Sequence, residues 1–246
     1  MSGHEFEHFS DGEWGERGEL VWNEYDWQQY LKQNEKEIAR FLALYNQNKH
    51  RPDRLDEVAR LMGWTDKSWS PTADKAPADE KGKPAPLPQV HPEPVESEDA
   101  DETSGIYTVH KHPVFIASRA LYQHLHHTWE HFLGGGNEYA IGSGLAWKYS
   151  ASLHGGELNA VMALHALDLG DYALAICHLK NALSAVNHSL SMLPLLHLDN
   201  TAHHVQFFRD VQGGLFDLRE IWLRVMNDCR EENHRRSTGE QGAQSE

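Results

Sequence analysis

A chain of 246 residues with 8 Trp, 8 Tyr and 8 Phe has enough aromatic mass for one good core plus an accessory segment, or for two small domains. Its formal net charge of −15 leaves no basic footprint for neutralising phosphates, which disfavours nucleic acid as a partner. No stretch approaches the roughly 18 consecutive apolar residues of a membrane span, so no membrane association is expected.

The chain opens Met1-Ser2-Gly3-His4-Glu5, without the basic flank and apolar segment of a signal peptide. Residues 1–24 carry Phe6, Phe9, Trp14 and Trp22 among glycines with no sustained period, and read as an irregular acidic, aromatic arm. From Tyr25 the residues Trp27, Leu31, Asn34, Ile38, Phe41 and Tyr45 recur at alternating spacings of four and three, which predicts one face of a helix. Pro52 then marks a helix start, and Leu55, Val58 and Met62 form an apolar face that ends at Gly63. Residues 25–64 are therefore expected to form a helical hairpin.

Residues 65–104 hold seven of the ten prolines among Lys, Asp, Glu, Ala and Ser. Such a composition cannot bury enough apolar surface to offset its ordering entropy, and predicts a long disordered linker. Beyond it the periodicity strengthens. A helix from about Pro113 to Leu133 presents Val114, Leu121, Leu125, Trp129 and Phe132, and ends at Gly134-Gly135-Gly136. A second, Leu145–Leu169, is apolar round nearly its whole circumference, which predicts a buried central element. Gly155-Gly156 in its middle points to a break into two shorter helices.

The strongest rhythms follow. Tyr172, Ile176, Leu179, Leu183, Val186, Leu190 and Leu193 keep a heptad pattern over 171–193, with Ala175, Ala182 and Ser189 beside the seam to admit a close neighbour. Phe208, Val211, Leu215, Leu218, Trp222, Val225 and Cys229 keep another over about 202–230, and Pro194 stops the first of the two. The expected fold is all-α: a four-helix-bundle-like domain at 105–233 and a disordered tail at 234–246, behind the linker and the hairpin. Cys177 and Cys229 both fall on predicted helices, which suits a reducing compartment and a cytoplasmic location.

Three local resemblances bear on function. Gly170-Asp171-Tyr172 followed by Ala175-Ile176, Leu179 and Ala182-Leu183 resembles the second half of a tetratricopeptide repeat, although Asn159 and Ala166 stand where that family carries aromatics. The resemblance implies two antiparallel helices joined at the glycine turn. Leu55 to Thr65 resembles the first helix and turn of a DNA-binding helix-turn-helix, but Asp66-Lys67-Ser68-Trp69-Ser70-Pro71 supplies no recognition helix. Arg119 and His124 form an R-x4-H pair similar to that of HEPN-type helical-bundle ribonucleases, which implies a phosphate-binding arginine and a proton-transferring histidine.

Histidine is the compositional oddity, with 18 copies against 22 Lys plus Arg. His124, His127 and His131 fall within about 60° of arc on one helix, with His126 on another side. Imidazoles one turn apart can share a divalent transition metal, zinc or similar, and His154, Glu157, His165, His203 and His204 could complete the set from neighbouring helices. The metal reading therefore names His124, His127, His131, His154 and Glu157. No nucleophile, acid–base couple or phosphate-cradling loop stands out. The leading expectation is a non-catalytic helical scaffold that binds a protein partner or itself, without a cofactor. A histidine-ligated metal bundle and an Arg119/His124 ribonuclease are the alternatives.

Overall fold

The computed structural model describes residues 22–64, 108–134, 141–196 and 202–243. The expected linker at 65–104 and nearly all of the arm at 1–24 lie outside the described residues, as does the segment where a recognition helix would have stood. Within the described residues all regular structure is helical: α1 (Glu24–Asn48), α2 (Arg54–Met62), α3 (Pro113–Gly134), α4 (Ser143–Asp168), α5 (Tyr172–Met192) and α6 (Ala202–Ala243).

The helix ends follow from local chemistry. Asn23 caps α1: its side chain accepts from the Tyr25 and Asp26 amides, while the Asp26 side chain accepts from the Asn23 amide. Gly63 ends α2 in the left-handed region at φ 82°, where a side chain would strain the backbone. The His112 Nδ1 accepts from the Val114 amide at 3.2 Å and so caps α3. Gly170, at φ 76°, turns the chain between α4 and α5, with the Asp171 side chain capping α5 through the Leu174 amide. The helical turn implied by the repeat-like residues is present.

Helices α3 to α6 form an up-down-up-down bundle. Trp129 of α3 meets Ser150 of α4, while Arg119, further back along α3, meets Glu157. Ser152 bonds to the Ala185 carbonyl and Asn159 to His178, which sets α4 against α5 in the same antiparallel sense. Leu125, Trp222, Leu215, Tyr122, Leu179 and Val186 lie in the closed core.

α4 is one continuous helix despite its paired glycines. Gly156 faces Tyr122, whose hydroxyl would lie 2.5 Å from any added Cβ, whereas a Cβ on Gly155 meets nothing within 4 Å. The glycine at 156 is thus a packing requirement between α3 and α4, and the intact helix absorbs its propensity cost.

α1 and α2 dock on the α3–α6 side. Ile38, Phe41, Tyr45, Leu55 and Val58 are buried in the same core as the bundle residues. α1 runs parallel to α3: Asn34 donates to the His110 carbonyl at 2.7 Å, and Tyr45 lies edge-on to His124. The N-terminal half of the α1 stripe departs from expectation. Trp27 and Leu31 are exposed, and Tyr30 takes the buried place beside Thr108 and His110.

α6 runs past the boundary expected at 233. Arg236 explains why order persists: it donates to the Gly170 carbonyl at 3.2 Å and the Tyr172 hydroxyl at 3.0 Å, and it sits 4.4 Å over the Tyr172 ring.

Candidate interaction face on the fourth helix

The residue pattern of α4 predicts burial on every side, and the structure corrects this. Tyr149, Leu153, Ala160, Ala163, Leu164 and Leu167 face the core, held there by α3 on one flank and α5 on the other. The opposite face is open. Trp147 is 75% exposed, Leu158 62%, Met162 44% and Leu169 83%. Ala151, His154 and His165 are exposed between them. These seven positions lie within about 80° of arc, because spacings of four and three residues return to the same side of a helix. A run of large apolar side chains left in water costs free energy of the order of 1.5–3 kcal/mol each relative to burial. Such patches on folded proteins mark contact surfaces.

Beside this stripe runs a polar seam between α3 and α4. Arg119 pairs with the Glu157 carboxylate, and the His126 Nε2 donates to its other oxygen at 3.1 Å. The His126 and His154 ring centroids are 4.3 Å apart, and the His154 Nδ1 donates to the Ser150 carbonyl at 2.8 Å. Burial pushes the Glu157 carboxyl upward, but the His126 hydrogen bond and the Arg119 charge hold it below its ordinary value. Tyr122, packed against Gly156 and stacked on Trp222, has its phenol pushed well up by burial.

The five residues named as metal ligands are distributed over three surroundings. His154 and Glu157 belong to the α3–α4 seam. His124 points to the other side of α3, where it lines a cleft of about 220 Å³ with Tyr45, Lys49, His50 and Arg209. His127 and His131 line a separate cleft of about 190 Å³ with Phe132, Gln206 and Phe207. Asp210 borders both clefts. Among the described residues, no group of three or more His, Cys, Asp or Glu side chains is placed to hold a metal ion. The His203 side chain lies outside the described residues. His165 is on the α4 stripe, and His204 is packed edge-on to Phe132 in the core.

Arg119 and His124 also part company. Five residues of helix separate them by about 140° of rotation, so Arg119 meets α4 while His124 meets α1 and α6. His126 is the histidine that shares a carboxylate with Arg119, and its intermediate spacing from the apolar face gave no signal of this. His178 is half-buried against Asn159.

Set against models of protein families, curated proteins and solved structures, the chain matches none of them. Among the described residues, no helix is long and apolar enough to cross a membrane.

Proposed function

We propose that this chain is a non-catalytic helical interaction protein that engages a protein partner through the outer face of α4. The exposed apolar stripe from Trp147 to Leu169 carries this reading, since the bundle already satisfies its own core without those side chains. The polar groups nearby fit a supporting role. Arg119 is neutralised by Glu157, so its charge is committed within the fold and not offered to a phosphate. Free thiols suit a reducing, cytoplasmic setting: Cys177 is exposed, and the buried Cys229 has its thiol pushed up to about 12.

Affinity capture from the native cell extract tests the reading, with wild type compared against Leu158→Glu/Met162→Glu. The wild type is expected to retain a specific protein that the double variant loses while keeping its helicity. Equal recovery by both proteins would remove α4 as the contact surface.

A further inference from the structure

Residues 1–21 join the fold at Trp22, close to the C-terminal end of the α4 stripe. The Trp22 ring packs 4.8 Å from Trp27 and 5.1 Å from Tyr30. Tyr30 in turn lies edge-on to His110, at 6.0 Å. His110 feels the charge of His165, which stands on the stripe one turn before Leu169. A row of rings thus links the base of the N-terminal arm to one end of the exposed face. Residues 1–21 extend to at most about 70 Å. The stripe from Trp147 to Leu169 is about 33 Å long, so the arm reaches along all of it.

The two surfaces are complementary in composition. Of the 37 acidic residues, three fall between Ser143 and Met192: Glu157, Asp168 and Asp171. Glu157 is bound by Arg119 and His126, and the other two stand at the Gly170 turn. The outer face of α4 is therefore apolar, with Lys148, His154 and His165 as its polar members, and the half-exposed Leu174 of α5 widens it. The arm holds six acidic residues, Glu5, Glu7, Asp11, Glu13, Glu16 and Glu19, against Arg17, interleaved with Phe6, Phe9 and Trp14. From the attachment point, the reach and this complementarity we infer that residues 1–21 dock along the outer face of α4 in the same molecule, with their aromatic side chains on the apolar stripe.

The same chemistry sets the arm apart from other occupants. Residues 65–107 end beside the same aromatic group, at Thr108, and are acidic too, but their aromatics are Trp69 and Tyr107, one at each end, with none between. A second copy would present its own α4 face, equally poor in carboxylates, and so brings no complementary charge. Tethering at Trp22 gives the arm an effective concentration on the order of millimolar, so a contact too weak to form between separate molecules still covers the face. A partner then engages α4 by displacing the arm. That last step rests on α4 being the contact surface for a partner, whereas the arm contact itself does not.

Paramagnetic broadening in the full chain tests the contact. A nitroxide is attached at Asn181→Cys in a Cys177→Ser background. Asn181 is exposed on α5, one turn on from His178, which meets Asn159 of α4. In the ¹⁵N-labelled protein the amides from Phe6 to Trp14 are expected to lose most of their intensity. The same nitroxide at Arg219→Cys, beside α2 on the far side of the bundle, should leave them sharp. Adding Leu158→Glu/Met162→Glu to the Asn181→Cys protein should restore the lost intensity, and the spectrum itself shows whether that variant is folded. When nitroxide is carried only by unlabelled chains mixed with ¹⁵N chains, no loss is expected. Sharp arm amides in the first sample, or equal broadening from both nitroxide positions, would overturn the inference. So would broadening of residues 65–107 in place of the arm, loss that persists in the mixed sample, or loss unchanged by the two glutamates. Partner capture is read separately, so a failure of either result leaves the other standing.

Discussion

Arg54 of α2 donates two hydrogen bonds, of 2.6 and 2.7 Å, to the Asp217 carboxylate of α6, and the Tyr45 hydroxyl of α1 donates to the same carboxylate. Asp217 is buried, so one acidic group ties three helices together. The Tyr45 phenol is pushed far up by burial and by the adjacent Asp217 charge, which keeps it a donor. Lys49 with Asp210, and Arg224 with Asp56, add exposed or half-exposed pairs along the same junction.

Removing the Arg54 guanidinium leaves Asp217 buried without its counter-charge. Arg54→Ala is expected to lower unfolding free energy by about 3 kcal/mol, because a broken buried pair costs more than the pair itself contributes. The triple variant Tyr45→Phe/Arg54→Met/Asp217→Leu, which also removes the hydroxyl that would lose its acceptor, should recover most of that loss. Urea denaturation of the three proteins measures both numbers, and a loss below about 0.5 kcal/mol in Arg54→Ala would reduce the pair to a surface contact.

The two α4 glycines should respond in opposite directions. Gly155→Ala meets open space in a helix interior and is expected to raise stability by about 0.5–1 kcal/mol. Gly156→Ala drives a methyl into the Tyr122 hydroxyl and is expected to lower it by about 1–3 kcal/mol. Adding Tyr122→Phe should restore much of that second loss. Thermal denaturation followed by circular dichroism separates the three outcomes.

Much of this fold could be read from residue spacing, and the exceptions have identifiable causes. The α5 and α6 heptads appear as drawn because Leu179, Val186, Leu215 and Trp222 each spend their apolar surface on one seam. Gly63 and Gly170 were legible as helix ends because both positions need a positive φ. The face of α4 was not legible, since a helix apolar all round looks the same whether its outer side meets its own chain or another. The histidines misled for a related reason. Spacing fixes which side of a helix a residue leaves from, but not whether the neighbour there is a ligand: His124 found Tyr45, and His126 found Glu157.

Two histidines make stability depend on pH. Burial lowers the proton affinity of His110, with His165 nearby, and burial also lowers that of His124. At His124 the Asp210 charge opposes the shift, while Lys49 and His127 add to it, and Tyr45 covers the ring. Each histidine binds fewer protons folded than unfolded between its lowered value and the ordinary value of about 6.5. Stability therefore rises with pH through that window and is lost as pH falls below about 6.5. The melting temperature should be higher at pH 7.5 than at 5.5, and His124→Gln should flatten part of the difference. A profile identical to wild type in that variant would show that His124 carries none of it.

Glu157 governs a lower window. Its carboxylate accepts from Arg119 and His126, and together these hold it below the ordinary glutamate value against the opposing push of burial. Its contribution is present above about pH 4.5 and is lost as pH falls through the lowered folded-state value. Glu157→Gln keeps the shape but gives up the charge, leaving the Arg119 guanidinium and the half-buried His126 without their carboxylate. The variant should be less stable at pH 7 by about 1–2 kcal/mol, with the deficit shrinking toward pH 3.5 as the wild-type carboxyl takes up its proton. Urea titrations at the two pH values test this, and a deficit unchanged by acid would assign the loss to packing. Because Glu157 lies on the α3 flank of α4 and not on the exposed stripe, the same variant should leave partner capture through that stripe unaltered at pH 7, separating the ion pair that anchors α4 from the face that α4 presents.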